Sequence, residues 1–481
     1  MVRRALVVAL LSIPCLAAAQ QQVLDAFSVP NSGDEHTAAK SGGTLRRFIP
    51  GTLEGLEEVL GIAERHDLDV WQIRADRPSV DIYTPDELPD ALKGFPHSLS
   101  SVSVPSLPSP LSAGNWDLSS LANTTFHDEW HPQDEVDAFI LNLAVLHPER
   151  VAVLELGHTA EGREMLGLKV SSGAAAKKGV AKPKLGFVLM GPQHAREWVA
   201  TSTALYFAHA LLADASEPGS LAGLLDTYDF HIIPSPNPDG YVYTWETDRF
   251  WYKNRQIVGP GAQCIGIDMN RYVELGTRPS LLKPMALIIQ VQGYKWKAHS
   301  DSPLLQSSKK KDKEPADPCS HWYPGHRAFE AAEVTNVANY ITKINGVGKG
   351  AGKGGIVAFV DLRSYGQMLA APYSYKCDKL PKDGEDQMEA LHGAAQAGRS
   401  VHGMGFTAGR LCELLYTAPG NMIDYIYNTA SIKYTYAAFL RDTGTYGFAL
   451  PASWIRPVGE ETSEIVSYIA RFVAKQRGYE M

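Results

Sequence analysis

The chain has 481 residues, more than one ordinary domain, and hydrophobic residues make up 44% of it, which is enough for a large buried core. Its formal net charge of -8 argues against a nucleic acid as the main partner. We therefore expect a folded protein of more than one domain that does not bind nucleic acid.

The first 19 residues have the features of a secretory signal peptide. Arg3 and Arg4 form a positive start, residues 5–16 form an apolar core, and the three alanines at 17–19 form a small-residue cleavage site. The apolar run is too short to favour a membrane anchor, and no later stretch predicts a membrane span. We expect a secreted protein, with delivery to the vacuole as the alternative.

Cysteine and asparagine positions agree with the secretory pathway. Cys15 leaves with the signal peptide, and four cysteines remain. In an oxidising compartment they favour two disulfides, for which the sequence alone permits three pairings. The sequon that begins at Asn123 is a candidate glycosylation site. The remaining cysteines are Cys264, Cys319, Cys377 and Cys412.

Four regions follow the signal peptide. Residues 20–43 are small and polar, which predicts a flexible start. Residues 44–97 contain strand-like stretches and one helical pattern after Thr52, which predict a small α+β domain. Residues 98–125 are rich in Ser, Pro and Leu, which predicts a linker. Apolar strands alternate with helices over residues 126–475, which predicts an α/β fold with a mixed central sheet and helices on both faces.

One stretch, residues 185–213, combines a strand, a loop and a helix. LGFVLM is an apolar run of strand length, GPQHAREW is a polar loop, and an apolar, Ala-rich segment of helical length follows. The loop places His194 and Glu197 three residues apart, so both could reach one zinc ion, which needs at least one further ligand. A bare HxxE motif is unspecific, and a polar loop at a strand end explains it equally well.

Five motifs in order remove that ambiguity, because together they resemble the carboxypeptidase A-type (M14) zinc metallocarboxypeptidases. The resemblance covers residues 126–475 and is greatest to the fungal inactive metallocarboxypeptidase-like proteins of cell-wall biogenesis. Residues 44–97 resemble the family's propeptide, an open sandwich that covers the active-site cleft. The resemblance implies the family's zinc-carboxypeptidase fold, a zinc cofactor and binding of peptide C-termini. The motifs are GPQHAREW, NPDGYVYT, CIGIDMNR, DLRSY and LRDTGTYGFALP.

Three catalytic positions of the family carry other residues here. His194 and Glu197 match two zinc ligands, but the third ligand, a histidine in the family, is Arg363, which has no lone pair to donate. Phe439 stands at the position of the general-base glutamate, and Tyr252 at that of the oxyanion-binding arginine. We therefore expect weak or absent zinc binding and no competent catalytic residue.

The resemblance assigns substrate-binding roles to residues that are retained. Arginine recognises a carboxylate through paired hydrogen bonds, and an apolar specificity position suits apolar or aromatic C-terminal residues. The matches are Arg196, Asn270 and Arg271 for the C-terminal carboxylate, Arg249 as an outer contact, Tyr365 in a subsite, Tyr416 as the mobile cap and Ile423 at the specificity position.

The resemblance also bears on disulfides and processing. It pairs Cys264 with Cys319, which leaves Cys377 for Cys412. Residues 272–292 interrupt the match and are either an inserted loop near the cleft or a retained intron. Residues 94–149 contain no Lys or Arg, so a trypsin-like protease cannot release the propeptide there.

Three hypotheses follow. The first is a secreted pseudoenzyme that binds peptide or protein C-termini, or cell-wall components as a scaffold. The second is an active zinc carboxypeptidase that removes C-terminal apolar residues, with substitute groups drawn from His392, His402 or Glu413. The third is a structural wall protein whose cleft the propeptide closes.

Overall fold

The computed structural model describes most of the chain. The described ranges are 43–84, 87–104, 116–173, 183–259, 263–271, 317–345 and 355–480. The predictions for residues 1–19, for residues 20–42 and for the segment 272–292 lie outside them. Within these ranges, no helix has both the length and the apolar character that a membrane span requires.

The small sheet unit, residues 43–104, is a four-stranded antiparallel sheet in the order β2-β3-β1-β4, with a helix packed on it. The helix begins after Thr52, whose hydroxyl accepts a hydrogen bond from the Gly55 amide at 3.1 Å. Its apolar face packs against the sheet, which makes a core of its own. The elements are β1 (Gly43–Phe48), α1 (Leu53–Arg65), β2 (Asp69–Arg74), β3 (Ser79–Thr84), α2 (Asp90–Lys93) and β4 (His97–Val102).

Strand β4 corrects the predicted linker over residues 98–125. It pairs with β1 from His97 opposite Phe48 to Val102 opposite Gly43. The stretch HSLSSV lacks an alternating apolar pattern because it is an edge strand, and the side chain of Leu99 is 64% exposed. The small unit is therefore longer than the pattern of its residues predicts.

The large sheet unit contains eight strands in the order β11-β10-β12-β9-β7-β8-β6-β5. The four central strands, β12-β9-β7-β8, are parallel, and antiparallel neighbours flank them, so the sheet is mixed as predicted. Its strands are β5 (Val151–His158), β6 (Glu164–Val170), β7 (Leu185–Met190), β8 (Tyr228–Ile233), β9 (Ile356–Arg363), β10 (Met368–Ala371), β11 (Thr407–Arg410) and β12 (Tyr434–Phe439). Its helices are α3 (Gln133–Leu146), α4 (Trp198–Leu212), α5 (Pro238–Glu246), α6 (Ala332–Asn345), α7 (Gly384–His402), α8 (Leu411–Leu414), α9 (Met422–Asn428) and α10 (Ile455–Gln476).

Residues 237–240, whose residue types are common in turns, form the start of α5. The Asn237 side chain accepts a hydrogen bond from the Gly240 amide at 3.1 Å, and Pro238 lies in the first turn of the helix. Proline is favoured there because the first helical N–H groups have no intrahelical partner. The same residue types favour turns and helix starts, so the motif alone did not distinguish them.

The loop after β7 is held close to the loop after β8. A Cβ atom on Gly191 would lie 1.9 Å from the carbonyl oxygen of Pro234, so only glycine permits this approach. Helix α4 then begins after Glu197, and all its residues are buried. The loop that carries His194 is therefore fixed at both ends.

The four cysteines that follow the signal peptide, and Asn123, are features predicted for the secretory pathway that lie within the described residues. Cys264 bonds to Cys319 with Cα atoms 5.0 Å apart, and Cys377 bonds to Cys412 with Cα atoms 5.7 Å apart. Asn123 is exposed, so its side chain is open to glycosylation, which stays a prediction.

Candidate functional site

A cleft opens at the carboxyl ends of the central parallel strands. Ligand sites form at this edge of an open α/β sheet because several loops converge there. Strand pairing brings two of the replaced positions side by side, since Phe439 lies opposite Arg363 on adjacent strands. The small unit contributes residues 69–73 of β2 to the lining, so the cleft lies between both units.

The structure brings His194, Glu197 and Arg363 together in one buried cluster. Arg363 donates from Nε to Glu197 Oε2 at 3.1 Å and from Nη2 to Glu197 Oε1 at 3.0 Å. The same Nη2 atom contacts His194 Nδ1, and Nε2 of this imidazole lies 2.9 Å from Oδ1 of Asp268. The Ser364 amide also donates to Glu197, at 2.8 Å. The charged side chains of Glu197 and Arg363 are therefore paired with each other within the protein.

The charges of this cluster are mutually stabilised. Burial alone would raise the pKa of Glu197, but the charges of Arg363 and His194 lower it to about 2. Burial would likewise raise the pKa of Asp268, and His194 contributes most to lowering it to about 2. Both carboxylates are therefore ionised at neutral pH, and the Arg363 guanidinium is the cation that lies on Glu197.

A third carboxylate lies beneath the cluster. Asp361 is fully buried, accepts a hydrogen bond from Gln193 at 3.2 Å and lies 3.7 Å from Arg363 Nη1. Burial raises its pKa to about 7, and the charge of Arg363 offsets only part of that effect. Asp361 sits behind the cluster and does not line the cleft.

The described residues do not fit a zinc ion. They contain no group of three or more His, Cys, Asp and Glu side chains placed to hold a metal. The guanidinium of Arg363 contacts both ligand-type atoms, Nδ1 of His194 and the carboxylate of Glu197, and an arginine cannot itself donate a lone pair to a metal. The family's zinc chemistry therefore has no support from these side chains.

The other two replaced positions also lie at this centre. The ring of Tyr252 stacks on that of His194 with centroids 3.8 Å apart, and burial raises the pKa of its hydroxyl, which stays neutral. Phe439 lines the cleft with its ring 5.9 Å from the Arg363 guanidinium. Neither side chain can supply a positive charge or accept a proton as the replaced groups would.

Three of the predicted carboxylate-binding and capping residues line the other half of the cleft. The Arg271 guanidinium contacts the hydroxyl of Tyr416 and lies 3.6 Å from Asp268. The ring of Trp322 lies 5.6 Å from the same guanidinium. Asn270 is buried beside it, and its side-chain oxygen accepts a bond from the Met422 amide at 3.3 Å.

Arg196 and Tyr365 are engaged by the small unit. Arg196 Nη1 donates to both carboxylate oxygens of Asp69 at 2.8 Å. The Tyr365 hydroxyl donates to Asp81 at 2.7 Å, and Gln72 donates to the Tyr365 carbonyl at 2.5 Å. Arg196 thus binds a carboxylate, but one that belongs to the chain itself.

Arg249 and Ile423 do not line the cleft. The Arg249 guanidinium donates to the carbonyls of Arg196 and Phe448 at 3.0 and 2.6 Å and lies 3.6 Å from the ring of Trp198. Ile423 is fully buried. Both side chains support the cleft wall from behind, so their proposed substrate contacts need a rearrangement.

Two kinds of site residue were not predicted from the sequence: carboxylates within the motifs, and residues outside the motifs. Asp268 and Asp361 lie in motifs that were recognised, so their carboxylates beside the site could have been noticed. The pairing of Asp69 with Arg196 had no such signal, because the two residues are 127 positions apart and in different units. Trp322 likewise follows a stretch without any matching motif.

Comparisons with known proteins show which proteins this chain is similar to. The family model described as zinc carboxypeptidase matches residues 136–465. The inactive metallocarboxypeptidase ECM14 of Paracoccidioides brasiliensis (strain Pb03) is 29% identical over 470 residues, covering 89% of this chain and 72% of that protein. Carboxypeptidase A2 of Rattus norvegicus is 35% identical over 335 residues, covering 70% and 68%.

A solved structure supports the fold. The crystal structure of the carboxypeptidase A from Helicoverpa armigera matches with a TM-score of 0.70 at 24% identity, covering 92% of this chain and 99% of that one. The family model spans more than half of the chain, in the region that carries the cleft. The chain therefore belongs to the zinc carboxypeptidase family.

Proposed function

We propose that this protein is a secreted carboxypeptidase-like pseudoenzyme that binds peptide or protein C-termini and does not cleave them. One observation carries the proposal. In a single cleft, Arg271, Asn270 and Tyr416 stand beside a centre in which Arg363 is bonded to Glu197. The binding groups are present, and the groups for hydrolysis are replaced.

The lack of hydrolysis follows from the chemistry of the replaced groups. Metal-assisted hydrolysis needs a metal-bound water and a base that takes its proton. Phe439 offers no base, and loss of general acid–base catalysis alone costs about 10²–10⁴ in rate. Tyr252 is neutral, so it cannot stabilise a developing oxyanion by charge.

Binding of a C-terminus is supported by the arginine that remains. Arg271 is 6% exposed and lines the cleft, and its planar guanidinium can hold a carboxylate through two hydrogen bonds. The Tyr416 hydroxyl contacts this guanidinium, so it stands beside the position that we propose for a ligand carboxylate. The proposed setting is the cell wall, where such a protein would act by binding wall proteins or components.

A binding experiment tests this function. Full-length protein is titrated into a fluorescent peptide that ends in Phe with a free carboxylate, and into the same peptide with an amidated end. We expect binding of the free acid only, weakened by Arg271→Met about ten- to a hundredfold, because a charged hydrogen-bonded contact contributes about 1.5–3 kcal/mol. Arg471→Met is the matched control, since Arg471 is exposed on α10.

Two results would overturn the proposal. One is equal affinity for the acid and the amide, and the other is equal affinity of the Arg271 and Arg471 variants. Absence of any binding, with the protein folded, would favour the purely structural wall protein whose cleft the small unit closes.

The alternative, an active carboxypeptidase, needs substitute groups at the centre. The candidates named from the sequence do not line the cleft. Glu413 pairs with Arg410, His402 lies 2.6 Å from Glu460, and His392 is exposed on α7. Release of a C-terminal Phe or Leu from a test peptide, lost in a Glu413, His402 or His392 variant, would establish this alternative.

A further inference from the structure

The inference concerns the role of Arg363, which stands at the position of a zinc ligand in the zinc carboxypeptidase family. His194, Glu197 and Arg363 are only 4%, 2% and 3% exposed, so the cluster is nearly buried at the wall of the cleft. A buried carboxylate without a cation is strongly destabilising. Some positive group must therefore accompany Glu197 in the folded protein.

The hydrogen-bond directions show how that need is met. His194 Nε2 faces Asp268 Oδ1 at 2.9 Å, and since an ionised carboxylate only accepts, this nitrogen carries the proton. The other ring nitrogen, Nδ1, contacts Arg363 Nη2 and lies 2.9 Å from Glu197 Oε1. Both electron-pair donors that could bind a metal, Nδ1 and the Glu197 carboxylate, point at one guanidinium.

The strand framework holds the guanidinium there. Arg363 is the last residue of β9, which pairs in parallel with β7 so that Asp361 lies opposite Met190. The next residue, Ser364, donates its amide to the Glu197 carboxylate at 2.8 Å. A shorter side chain at position 363 would therefore start from the same strand end and face the same two donors.

We propose that Arg363 is a tethered cation that takes over the structural role of the metal, and that the zinc site beneath it is latent. The guanidinium neutralises Glu197 and orders the His194 loop without any ion. Replacing Arg363 with histidine removes the cation and adds a third donor, which completes a three-ligand site of the kind zinc accepts. The second shell, Asp268 on His194, is already in place.

The experiment compares four full-length chains: wild type, Arg363→His, Arg363→Met, and Arg363→His combined with His194→Ala. Each is dialysed against buffered zinc, bound zinc is measured by mass spectrometry, and the melting temperature is recorded with zinc and with a chelator. We expect about one zinc per chain in Arg363→His alone. Its melting temperature should rise with zinc, whereas that of the wild type should not change.

Three outcomes would overturn the inference. They are His194-dependent zinc in the wild type, a folded Arg363→His chain that holds no more zinc than Arg363→Met, and an unfolded Arg363→His chain that zinc does not rescue. The measurement uses no peptide, so it stands apart from the proposed binding of C-termini and can fail or succeed independently of it.

Discussion

The two halves of the cleft differ in what their charged groups contact. In the half around His194, the carboxylate of Glu197 and the guanidinium of Arg363 form a closed ion pair. In the other half, Arg271 contacts a hydroxyl, that of Tyr416, and lies 3.6 Å from Asp268. The ion pair of the first half is therefore the closer one, at 3.0 Å, and in the second half Arg271 pairs at 3.6 Å and lines the cleft.

Under the proposed function, this difference separates catalysis from binding on one scaffold. The replaced positions, Arg363 and Phe439, are the last residues of two neighbouring strands. A change of side chain there alters the ion-pair half of the cleft. Arg271 and Tyr416 lie on loops outside the strands. A site can therefore lose its chemistry while the loops that recognise a carboxylate persist.

The largest expected effect concerns the ion pair in the first half. Arg363→Met should lower the free energy of unfolding by about 3–5 kcal/mol, because it leaves Glu197 charged, buried and unpaired. Adding Glu197→Gln should recover part of that loss, since the uncompensated charge is gone. Urea unfolding of the two single variants and the double variant measures the coupling.

A surface pair provides the control for that cycle. Glu413→Gln breaks a pair with Arg410 at a side chain that is 50% exposed, and should cost about 1 kcal/mol or less. If Arg363→Met costs no more than Glu413→Gln, the first half of the cleft is not held together by its ion pair.

A smaller effect is expected where the small unit enters the cleft. Asp69→Asn removes the carboxylate that occupies Arg196, so peptide affinity should rise up to about tenfold as that arginine becomes available. Fluorescence titration with the free-acid peptide measures it. Asp90→Asn, a change at a 94% exposed carboxylate, is the control. A loss of affinity in Asp69→Asn would mean that the small unit helps to bind the ligand.

The smallest effect concerns the second half of the cleft. Tyr416→Phe removes only the hydroxyl that contacts Arg271, so peptide affinity should change by a factor of about two to ten, in line with one hydrogen bond. The same titration measures it, with the Arg271→Met variant as the upper limit. An effect as large as that of Arg271→Met would make the tyrosine, and not the arginine, the main recognition group.

The sequence predicts the parts of the site that local patterns encode. The apolar strand, polar loop and apolar helix around His194 predict β7, the loop and α4, and the family resemblance assigns Arg363 and Phe439 to two positions of one site. Both sheet units and the mixed order of the large sheet agree with the expected fold.

Long-range pairings were not predictable in the same way. Asp69 and Arg196 meet only because the small unit docks on the cleft, and Tyr365 and Asp81 are 284 positions apart. Strand β4 was missed because HSLSSV, at an exposed sheet edge, has no alternating apolar pattern. The buried positions of Arg249 and Ile423 depend on the packing of neighbouring loops, which no motif records.

The most direct test follows binding and cleavage in one tube. Full-length protein is incubated with a labelled peptide that ends in Phe with a free carboxylate, binding is read by fluorescence anisotropy, and the peptide mass is read over time. The ion pair at the centre and the cleft-lining Arg271 beside it predict a bound peptide of unchanged mass. A peptide shortened by its last residue, with cleavage stopped by a metal chelator, would contradict the assignment of this chain as a pseudoenzyme.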